Sequence, residues 1–189
     1  GTALALQLAR CGSNVRLGGV VELDLLQAMV TDRENVRYLP GIKFPPNMVA
    51  CPDLAECLDG IRDVLVVVPS HGLRSTLTKA KEFLDPDSRI CWATKGFELR
   101  SGKLPHQVAA EVLGEDRAVA VLSGPTFAKE VAEGLPTAMT IASNDQQCGQ
   151  DLAAAISADN FRAYTSDDFI GVEVGGAIKN VLAIGAGLA

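Results

Sequence analysis

The chain has 189 residues, of which 48% are hydrophobic and 21% are charged, a balance typical of a globular protein with one good core. Its formal net charge is −6 and it has no block of basic residues, so nucleic acid and anionic membrane surfaces are not expected partners. The five cysteines are scattered without a Cys-x-x-Cys pair or a histidine cluster, which disfavours a metal site and favours a reducing compartment.

Predicted helices and strands alternate along the chain. The helices are 2–11, 22–30, 52–58, 73–84, 105–113, 127–133, a segment between 142 and 161, and 168–189. The strands are 15–17, 48–51, 63–69, 89–93, 118–122, 137–142 and 161–164. This alternation predicts an α/β fold with a doubly wound, mostly parallel sheet, in which 63–69 is a central strand because it is apolar on both faces.

Three predicted loops follow the carboxyl ends of strands, where open α/β sheets bind ligands. They are 69–71, 94–96 and 123–128. In the last loop, Gly124 lets the backbone approach a ligand, and Thr126 offers a hydroxyl beside a helix start whose N–H groups favour an anion. Lys95 adds a positive charge, although a solvated surface lysine is the plainer interpretation of this residue alone. His71 is interpreted as a helix-start residue and Trp92 as core packing.

The last predicted helix carries the most informative residues. Gly175 and Gly176 lie side by side in its interior, where each costs about 1 kcal/mol relative to alanine, so the helix surface there is expected to approach another group. Lys179 follows about one turn later and is predicted to carry the chemistry, with a flat ring or a small substrate against the glycines. Thr165 or Ser166 is predicted to cap the helix.

Two plainer interpretations of this helix remain open. Its apolar length approaches that of a membrane span, although Glu173 and Lys179 would be costly inside a bilayer. It is also compatible with a buried core helix whose lysine extends to the surface.

Six blocks of sequence follow one another along nearly the whole chain. They are 35–41 (NVRYLPG), 93–96 (ATKG), 122–131 (LSGPTFAKEV), 134–138 (GLPTA), 161–165 (FRAYT) and 171–180 (GVEVGGAIKN). Together they resemble bacterial NAD(P)-dependent glycerol-3-phosphate dehydrogenase. The resemblance implies a Rossmann-type nucleotide-binding domain followed by an all-helical domain, and a cytoplasmic homodimer without membrane insertion. It also implies interconversion of sn-glycerol 3-phosphate and dihydroxyacetone phosphate with NAD or NADP, which supplies glycerol 3-phosphate for phospholipid synthesis.

The resemblance assigns roles to residues that match the family's motifs. Lys179 corresponds to the catalytic proton acceptor, and Lys95 to a lysine that contacts substrate and cofactor. Gly124 and Thr126 occupy substrate-contacting positions, although the family usually has serine where Thr126 stands. Lys179 also contacts the substrate, and Asn180 corresponds to a position beside the substrate phosphate.

The resemblance also assigns the cofactor site, with departures from the family. The cofactor-contacting positions are Gly1, Lys95 and Ala128. Gly1 corresponds to the third glycine of the G-x-G-x-x-G fingerprint, so the first strand and the pyrophosphate turn are missing. Relatives often have tryptophan at the position of Gly18 and basic residues near Val20 and Val21, which hold the 2′-phosphate of NADP. Glu22 could instead accept a hydrogen bond from a ribose hydroxyl, so the preference between NAD and NADP stays open.

The chain is expected to be a fragment, since it opens and closes within predicted helices. The predicted division is a nucleotide-binding domain at 1–167 and, at 168–189, the first helix of a helical substrate and dimerisation domain. By itself this fragment is expected to be inactive and poorly stable, with an apolar stripe exposed on 170–189.

The chemistry requires a base for the hydroxyl proton of the alcohol. A lysine with an ordinary pKa is protonated at neutral pH and is a poor base. A second ammonium nearby, such as Lys95, and partial burial are both expected to lower the pKa of Lys179. Two other functions stay open: a related two-domain NAD(P) dehydrogenase of another small alcohol or acid, and a non-catalytic nucleotide-binding module.

Overall fold

The computed structural model describes residues 1–19 and 23–187, with the backbone alone at 23 and 180–183. Its helices are α1 (Thr2–Arg10), α2 (Leu23–Asp32), α3 (Leu54–Leu58), α4 (Ser70–Lys81), α5 (Pro105–Leu113), α6 (Ala128–Glu133), α7 (Gln146–Ile156) and α8 (Phe169–Gly187). Its strands are β1 (Val15–Leu17), β2 (Met48–Ala50), β3 (Asp63–Val66), β4 (Arg89–Trp92), β5 (Val119–Ser123), β6 (Thr137–Ser143) and β7 (Phe161–Ser166). The predicted order of elements is confirmed over these residues, whereas positions 22, 188 and 189 of the predicted helices lie outside them.

The strands form a mostly parallel arrangement, as predicted. A five-stranded sheet has the order β3-β4-β5-β6-β7, and β1 pairs with β2 in a separate parallel ribbon. Neighbours in the large sheet are parallel except for β5 and β6, which are antiparallel. The carboxyl end of β5 therefore lies beside the amino end of β6, where Ser123 pairs with Thr140.

Strand β3 differs from its prediction as a central strand. It ends at Val66 and forms one edge of the five-stranded sheet, with Asp63 exposed and Val64 and Leu65 half-buried. A cavity of about 590 Å³ lies between its outer side and β1, and apolar side chains of both strands line this cavity. The apolar residues of β3 are thus explained by the cavity on one side and by β4 on the other.

The core lies on both faces of the large sheet, which makes the fold doubly wound. Successive residues of β4 and β5 alternate between the faces, so Cys91 and Leu122 pack with α1 and α7, whereas Trp92 and Val121 pack with α4 and α5. Each fully buried side chain of this size stabilises the fold by about 1.5–3 kcal/mol. Helix α8 lies on the second face, where Phe169 and Val172 extend the cluster around Trp92.

Helices α8 and α4 begin differently from their predictions. Asp168 caps α8, because its Oδ1 accepts a hydrogen bond from the backbone N–H of Gly171 at 2.8 Å. The predicted cap residue Thr165 lies within β7, and Ser166 Oγ instead accepts from the backbone N–H of Asp168 at 3.2 Å. Helix α4 starts three residues before its prediction, so His71 lies in its first turn, as expected for a helix-start residue.

Within residues 1–19 and 23–187, no helix is both long and apolar enough to span a bilayer. The same residues contain no group of three or more histidine, cysteine, aspartate or glutamate side chains arranged to hold a metal ion.

Candidate active site

The three predicted ligand loops meet at one edge of the sheet, because β3, β4 and β5 are parallel neighbours whose carboxyl ends are adjacent. Thr94 Oγ1 donates a hydrogen bond to the carbonyl oxygen of Val68 at 2.7 Å, which joins the loops after β4 and β3. Lys95 Nζ donates to the carbonyl oxygen of Gly124 at 2.9 Å, which joins the loops after β4 and β5. These two bonds confirm that the loops converge.

Helix α8 packs across β5 and β6 and brings Lys179 to the same edge. Gly176 lies so close to β5 that an ideal Cβ on it would be 2.6 Å from Ser123 Oγ and 3.8 Å from Lys95 Cγ. One turn later, Lys179 Nζ lies 5.4 Å from the centroid of the Phe127 ring, and Lys179 is partly buried. The two lysines that the sequence singled out therefore lie at one site.

The charges of these lysines interact. The pKa of the Lys95 amine is lowered, first by burial of the ammonium group and second by the positive charge of Lys179. The Lys179 ammonium lies over the face of Phe127, whose π electrons attract a cation. An anion in contact with both ammonium groups would offset their repulsion, so the site is electrostatically suited to an anionic ligand.

The structure gives a reason for glycine at position 124 that the sequence did not indicate. An ideal Cβ on Gly124 would be 2.7 Å from the carbonyl oxygen of Ala138 and 3.1 Å from the Cα of Met139. A Cβ on Gly124 would thus point at the backbone of β6. Close approach of the antiparallel strand therefore requires glycine here, and the predicted contact of Gly124 with the substrate stays a prediction.

Gly175 and Gly176 were predicted to form one bare surface of α8 that approaches another group, but their surroundings differ. Gly176 is buried against Ser123, whereas nothing lies within 4 Å of an ideal Cβ on Gly175. A flat ring or a small substrate therefore has open space at Gly175, whereas Gly176 is occupied by Ser123 and Lys95. Gly176 permits the helix to approach β5, and Gly175 is exposed.

Two of the remaining predicted substrate positions lie on the elements that form this site. The backbone N–H of Thr126 donates to the carbonyl oxygen of Gly124 at 3.0 Å, so Thr126 lies beside the acceptor of Lys95. Asn180 follows Lys179 in α8, but its side chain lies outside the described residues. The roles of both residues stay predictions.

Two of the three predicted cofactor positions, Gly1 and Ala128, lie at helix starts, whereas Lys95 lies in the loop after β4. Gly1 is the N-cap of α1, and an ideal Cβ on it would be 3.9 Å from Val67 Cβ, just beyond β3. Ala128 is the first residue of α6 and is exposed. Gly18 lies against Cys57, whose Sγ would be 2.6 Å from an ideal Cβ, while the neighbouring positions Val20, Val21 and Glu22 lie outside the described residues.

Sequence reasoning missed Glu173, which lies two turns before Lys179 in α8. Its side chain is buried and accepts hydrogen bonds from Trp92 Nε1 at 3.0 Å and from the backbone N–H of His106 at 3.0 Å. The available signals were a lone carboxylate in an apolar helix and a buried indole N–H that needs an acceptor. Trp92 was correctly predicted as core, but its hydrogen bond was not.

Comparison with known proteins gives a consistent result. Residues 1–149 match the family model described as NAD-dependent glycerol-3-phosphate dehydrogenase N-terminus. The glycerol-3-phosphate dehydrogenase [NAD(P)+] of Aliivibrio fischeri is 50% identical over all 189 residues, which cover 55% of that relative. That of Serratia proteamaculans is 51% identical, with 56% of it covered. The chain thus spans about half the length of the curated relatives it matches.

Solved structures agree with the sequence matches. The crystal structure of glycerol-3-phosphate dehydrogenase from Coxiella burnetii superposes with a TM-score of 0.92 at 45% identity, covering 97% of this chain and 55% of that one. The glycerol-3-phosphate dehydrogenase of Saccharomyces cerevisiae superposes with a TM-score of 0.85 at 27% identity, covering 99% and 59%. The match of the family model to most of the chain, with these relatives, shows that the chain belongs to the NAD-dependent glycerol-3-phosphate dehydrogenase family and corresponds to its N-terminal part.

Proposed function

We propose that the full-length protein interconverts sn-glycerol 3-phosphate and dihydroxyacetone phosphate with NAD(P) or NAD(P)H, and that this chain supplies the nucleotide-binding region and the catalytic lysine, Lys179. The observation that carries the proposal is the convergence of Lys95 and Lys179 on the loop after β5. Family membership supports the same activity, since relatives that match the whole chain are named glycerol-3-phosphate dehydrogenase [NAD(P)+].

The described residues fit a dinucleotide cofactor. Helix α1 begins at Gly1 without a side-chain cap, so the N–H groups of its first turn are free to bind a pyrophosphate. Gly1 lies beside Val67, which follows the carboxyl end of β3. Ala128 is the first residue of α6, which follows the loop at the carboxyl end of β5. When bound, the nicotinamide supplies hydride transfer to or from the carbon that bears the substrate oxygen. Residues 20–22, which would distinguish NAD from NADP, lie outside the described part of the chain, so both cofactors are proposed.

Lys179 is assigned the proton transfer. In alcohol oxidation its neutral amine accepts the hydroxyl proton as the C–H bond breaks, and in ketone reduction its ammonium donates a proton to the oxygen on which negative charge develops. Lys95 is assigned the orientation of the substrate, because its Nζ is already held at Gly124 and an ammonium attracts a phosphate. The substrate phosphate would also reduce the repulsion between the two lysines.

A substrate comparison tests this function in the full-length protein. Oxidation of NADH and NADPH is followed with dihydroxyacetone phosphate and, as the matched control, with unphosphorylated dihydroxyacetone. We expect turnover with the phosphorylated ketone only, because the two ammonium groups recognise its charge. Efficient turnover of other small ketones or keto acids would indicate a different dehydrogenase, and tight NADH binding without any oxidation would indicate a non-catalytic nucleotide-binding module.

Two further properties belong to the same proposal. We propose that the full-length protein is a cytoplasmic homodimer, as its resemblance to the family implies. The five free cysteines are compatible with a reducing compartment such as the cytoplasm. Sedimentation velocity of the full-length protein at micromolar concentration tests the dimer, and a monomer throughout that range would contradict it.

The pH dependence of substrate binding is expected to report on Lys95. Its amine is charged below its pKa and neutral above it, and this pKa is lowered by burial and by Lys179. The KM for dihydroxyacetone phosphate should therefore rise with pH, beginning below the range in which an ordinary lysine titrates, near 10.4. The measurement is KM between about pH 7 and 10, where the phosphate is already a dianion.

The matched control for this effect is Lys95→Arg. A guanidinium stays charged throughout the range, so its KM should change much less with pH, even if its value at neutral pH is higher because the geometry differs. Parallel pH profiles for the two proteins would remove Lys95 from phosphate binding.

A further inference from the structure

Glu173 is a buried acidic residue that takes no part in the proposed proton transfer. Its side chain is 2% exposed and lies on α8, which is otherwise mostly apolar. It accepts from Trp92 Nε1 and from the backbone N–H of His106, both at 3.0 Å, and its second oxygen lies 2.5 Å from His106 Nδ1. When Glu173 is ionised it can only accept, and the hydrogen of this contact then lies on His106 Nδ1. Removing this carboxylate is costly, because the fully buried indole N–H of Trp92 would be left without its hydrogen bond to Glu173.

The donors belong to two other elements, strand β4 and helix α5. Trp92 is the last residue of β4, three residues before Lys95, and His106 is in the first turn of α5. The N–H of His106 is one of the helix-start amides that have no partner within a helix, so a carboxylate there is favoured by the helix dipole. Phe169, one turn earlier in α8, packs edge-on against both rings, with centroids 6.0 Å from Trp92 and 5.8 Å from His106. Glu173 thus joins α8 to β4 and α5 through directional bonds.

The spacing along α8 connects this junction to the reacting group. Glu173, Gly176 and Lys179 follow one another at intervals of three residues, so they form one inclined row with a rise of about 4.5 Å per step. Glu173 is fixed at Trp92 and His106, and Gly176 is fixed against Ser123. Two fixed points on a rigid helix determine where the third residue lies.

We propose that Glu173 is a positioning residue: its hydrogen bonds to Trp92 and His106 set the rotation and axial position of α8 and so hold Lys179 at the loops that carry Lys95 and Phe127. This inference rests on the proposed function, since it needs Lys179 as the proton-transfer group. An error of about 1 Å in the placement of a catalytic group lowers turnover by about 10²-fold. The carboxylate therefore acts on kcat through the helix and does not touch the substrate.

The test uses the full-length protein with three variants. Glu173→Leu keeps the approximate volume but leaves the donors unpaired, and should lower kcat by about 10²-fold while KM for dihydroxyacetone phosphate and Kd for NADH change by less than about threefold. Glu173→Gln keeps one carbonyl oxygen for Trp92 and the His106 N–H, and should restore most of the turnover. Glu115→Leu, at an exposed carboxylate between α5 and β5, is the matched control and should behave as wild type.

Trp92 gives an independent spectroscopic readout, because its indole N–H donates directly to Glu173. Its indole N–H resonance, assigned by its loss in Trp92→Phe, should shift in Glu173→Leu and stay near its original position in Glu173→Gln. If Glu173→Leu fails to fold, His106→Ala removes the side-chain donor and the ring contact with Phe169 but keeps the backbone donor, and should give a smaller loss of kcat at unchanged KM. A shifted indole signal with wild-type kcat in either variant would overturn the proposal.

A double-mutant cycle separates this proposal from the proposed function. If Glu173 acts through Lys179, Glu173→Leu should have almost no further effect on the residual rate of Lys179→Ala. Additive losses would show that Glu173 acts elsewhere and would overturn the positioning role. Normal turnover of Lys179→Ala itself would instead overturn the catalytic assignment, and the positioning role with it, whatever the behaviour of Glu173→Leu.

Discussion

Lys179→Ala in the full-length protein is expected to lower kcat by about 10²–10⁴-fold, the range that a positioned general acid or base contributes. The expectation follows from the location of the amine, which is partly buried, 5.4 Å from the Phe127 ring and near enough to Lys95 to lower the pKa of that amine. The measurement is steady-state oxidation of NADH with saturating dihydroxyacetone phosphate. Turnover close to that of wild type would remove Lys179 from the chemistry.

Binding measurements distinguish lost chemistry from lost structure in this variant. The free N–H groups at the start of α1 and the loop after β3 do not involve α8, so NADH should bind Lys179→Ala with nearly its original Kd. Lys79→Ala, at an exposed lysine of α4 far along that helix from its start, is the matched control and should change neither kcat nor Kd. A large rise in the Kd for NADH would indicate that the substitution disturbs the fold.

Small amines provide a second check on the role of Lys179. Removal of the side chain leaves space for a soluble primary amine near Phe127, and such an amine can accept or donate the same proton. Methylamine should therefore raise the rate of Lys179→Ala in proportion to its concentration and leave the wild-type rate unchanged. The absence of rescue together with normal NADH binding would favour a role for Lys179 in binding substrate rather than in proton transfer.

The sequence was sufficient to predict most of the fold and the meeting of the two lysines. Alternating apolar strands and helices indicate the parallel sheet. The carboxyl ends of neighbouring parallel strands necessarily lie together, so the sequence predicts that the loops of Lys95 and Gly124 meet, and the hydrogen bond between these residues confirms it. Strand direction was not predictable in the same way, because an apolar run such as 137–142 has no feature that distinguishes parallel from antiparallel pairing. The antiparallel pairing of β6 is what gives Gly124 its packing role.

The hydrogen bonds of Glu173 show why other parts of the site could not be predicted. Trp92 and His106 are 81 and 67 residues from Glu173 along the chain, so their pairing results from how α8 and α5 pack on the sheet. A carboxylate in an apolar helix indicates that some partner exists, but not which one. The sequence similarly predicted that Gly175 and Gly176 lie close to another group, and the packing shows that this is true of Gly176 alone.

Gly176→Ala is expected to lower kcat by about 10²-fold and the free energy of unfolding by about 1–3 kcal/mol. The added Cβ would be 2.6 Å from Ser123 Oγ, so α8 or the serine side chain must move, and Lys179 lies one turn further along the same helix. Gly175→Ala is the matched control, because nothing lies within 4 Å of its Cβ and alanine is favoured over glycine in a helix by about 1 kcal/mol. It should keep wild-type kcat and unfold at a slightly higher denaturant concentration.

A compensating substitution identifies the contact responsible. In Gly176→Ala combined with Ser123→Ala the hydroxyl is gone, and the remaining distance from the new Cβ to the Cβ of residue 123 is 3.5 Å, an ordinary van der Waals contact. The double variant should therefore recover most of the lost turnover and stability, so that the two substitutions are strongly non-additive. Equal losses in the single and double variants would mean that α8 approaches β5 for a reason other than this contact. Recovery of stability without recovery of kcat would separate the packing of α8 from the placement of Lys179, because the helix would then be restored while the amine was not.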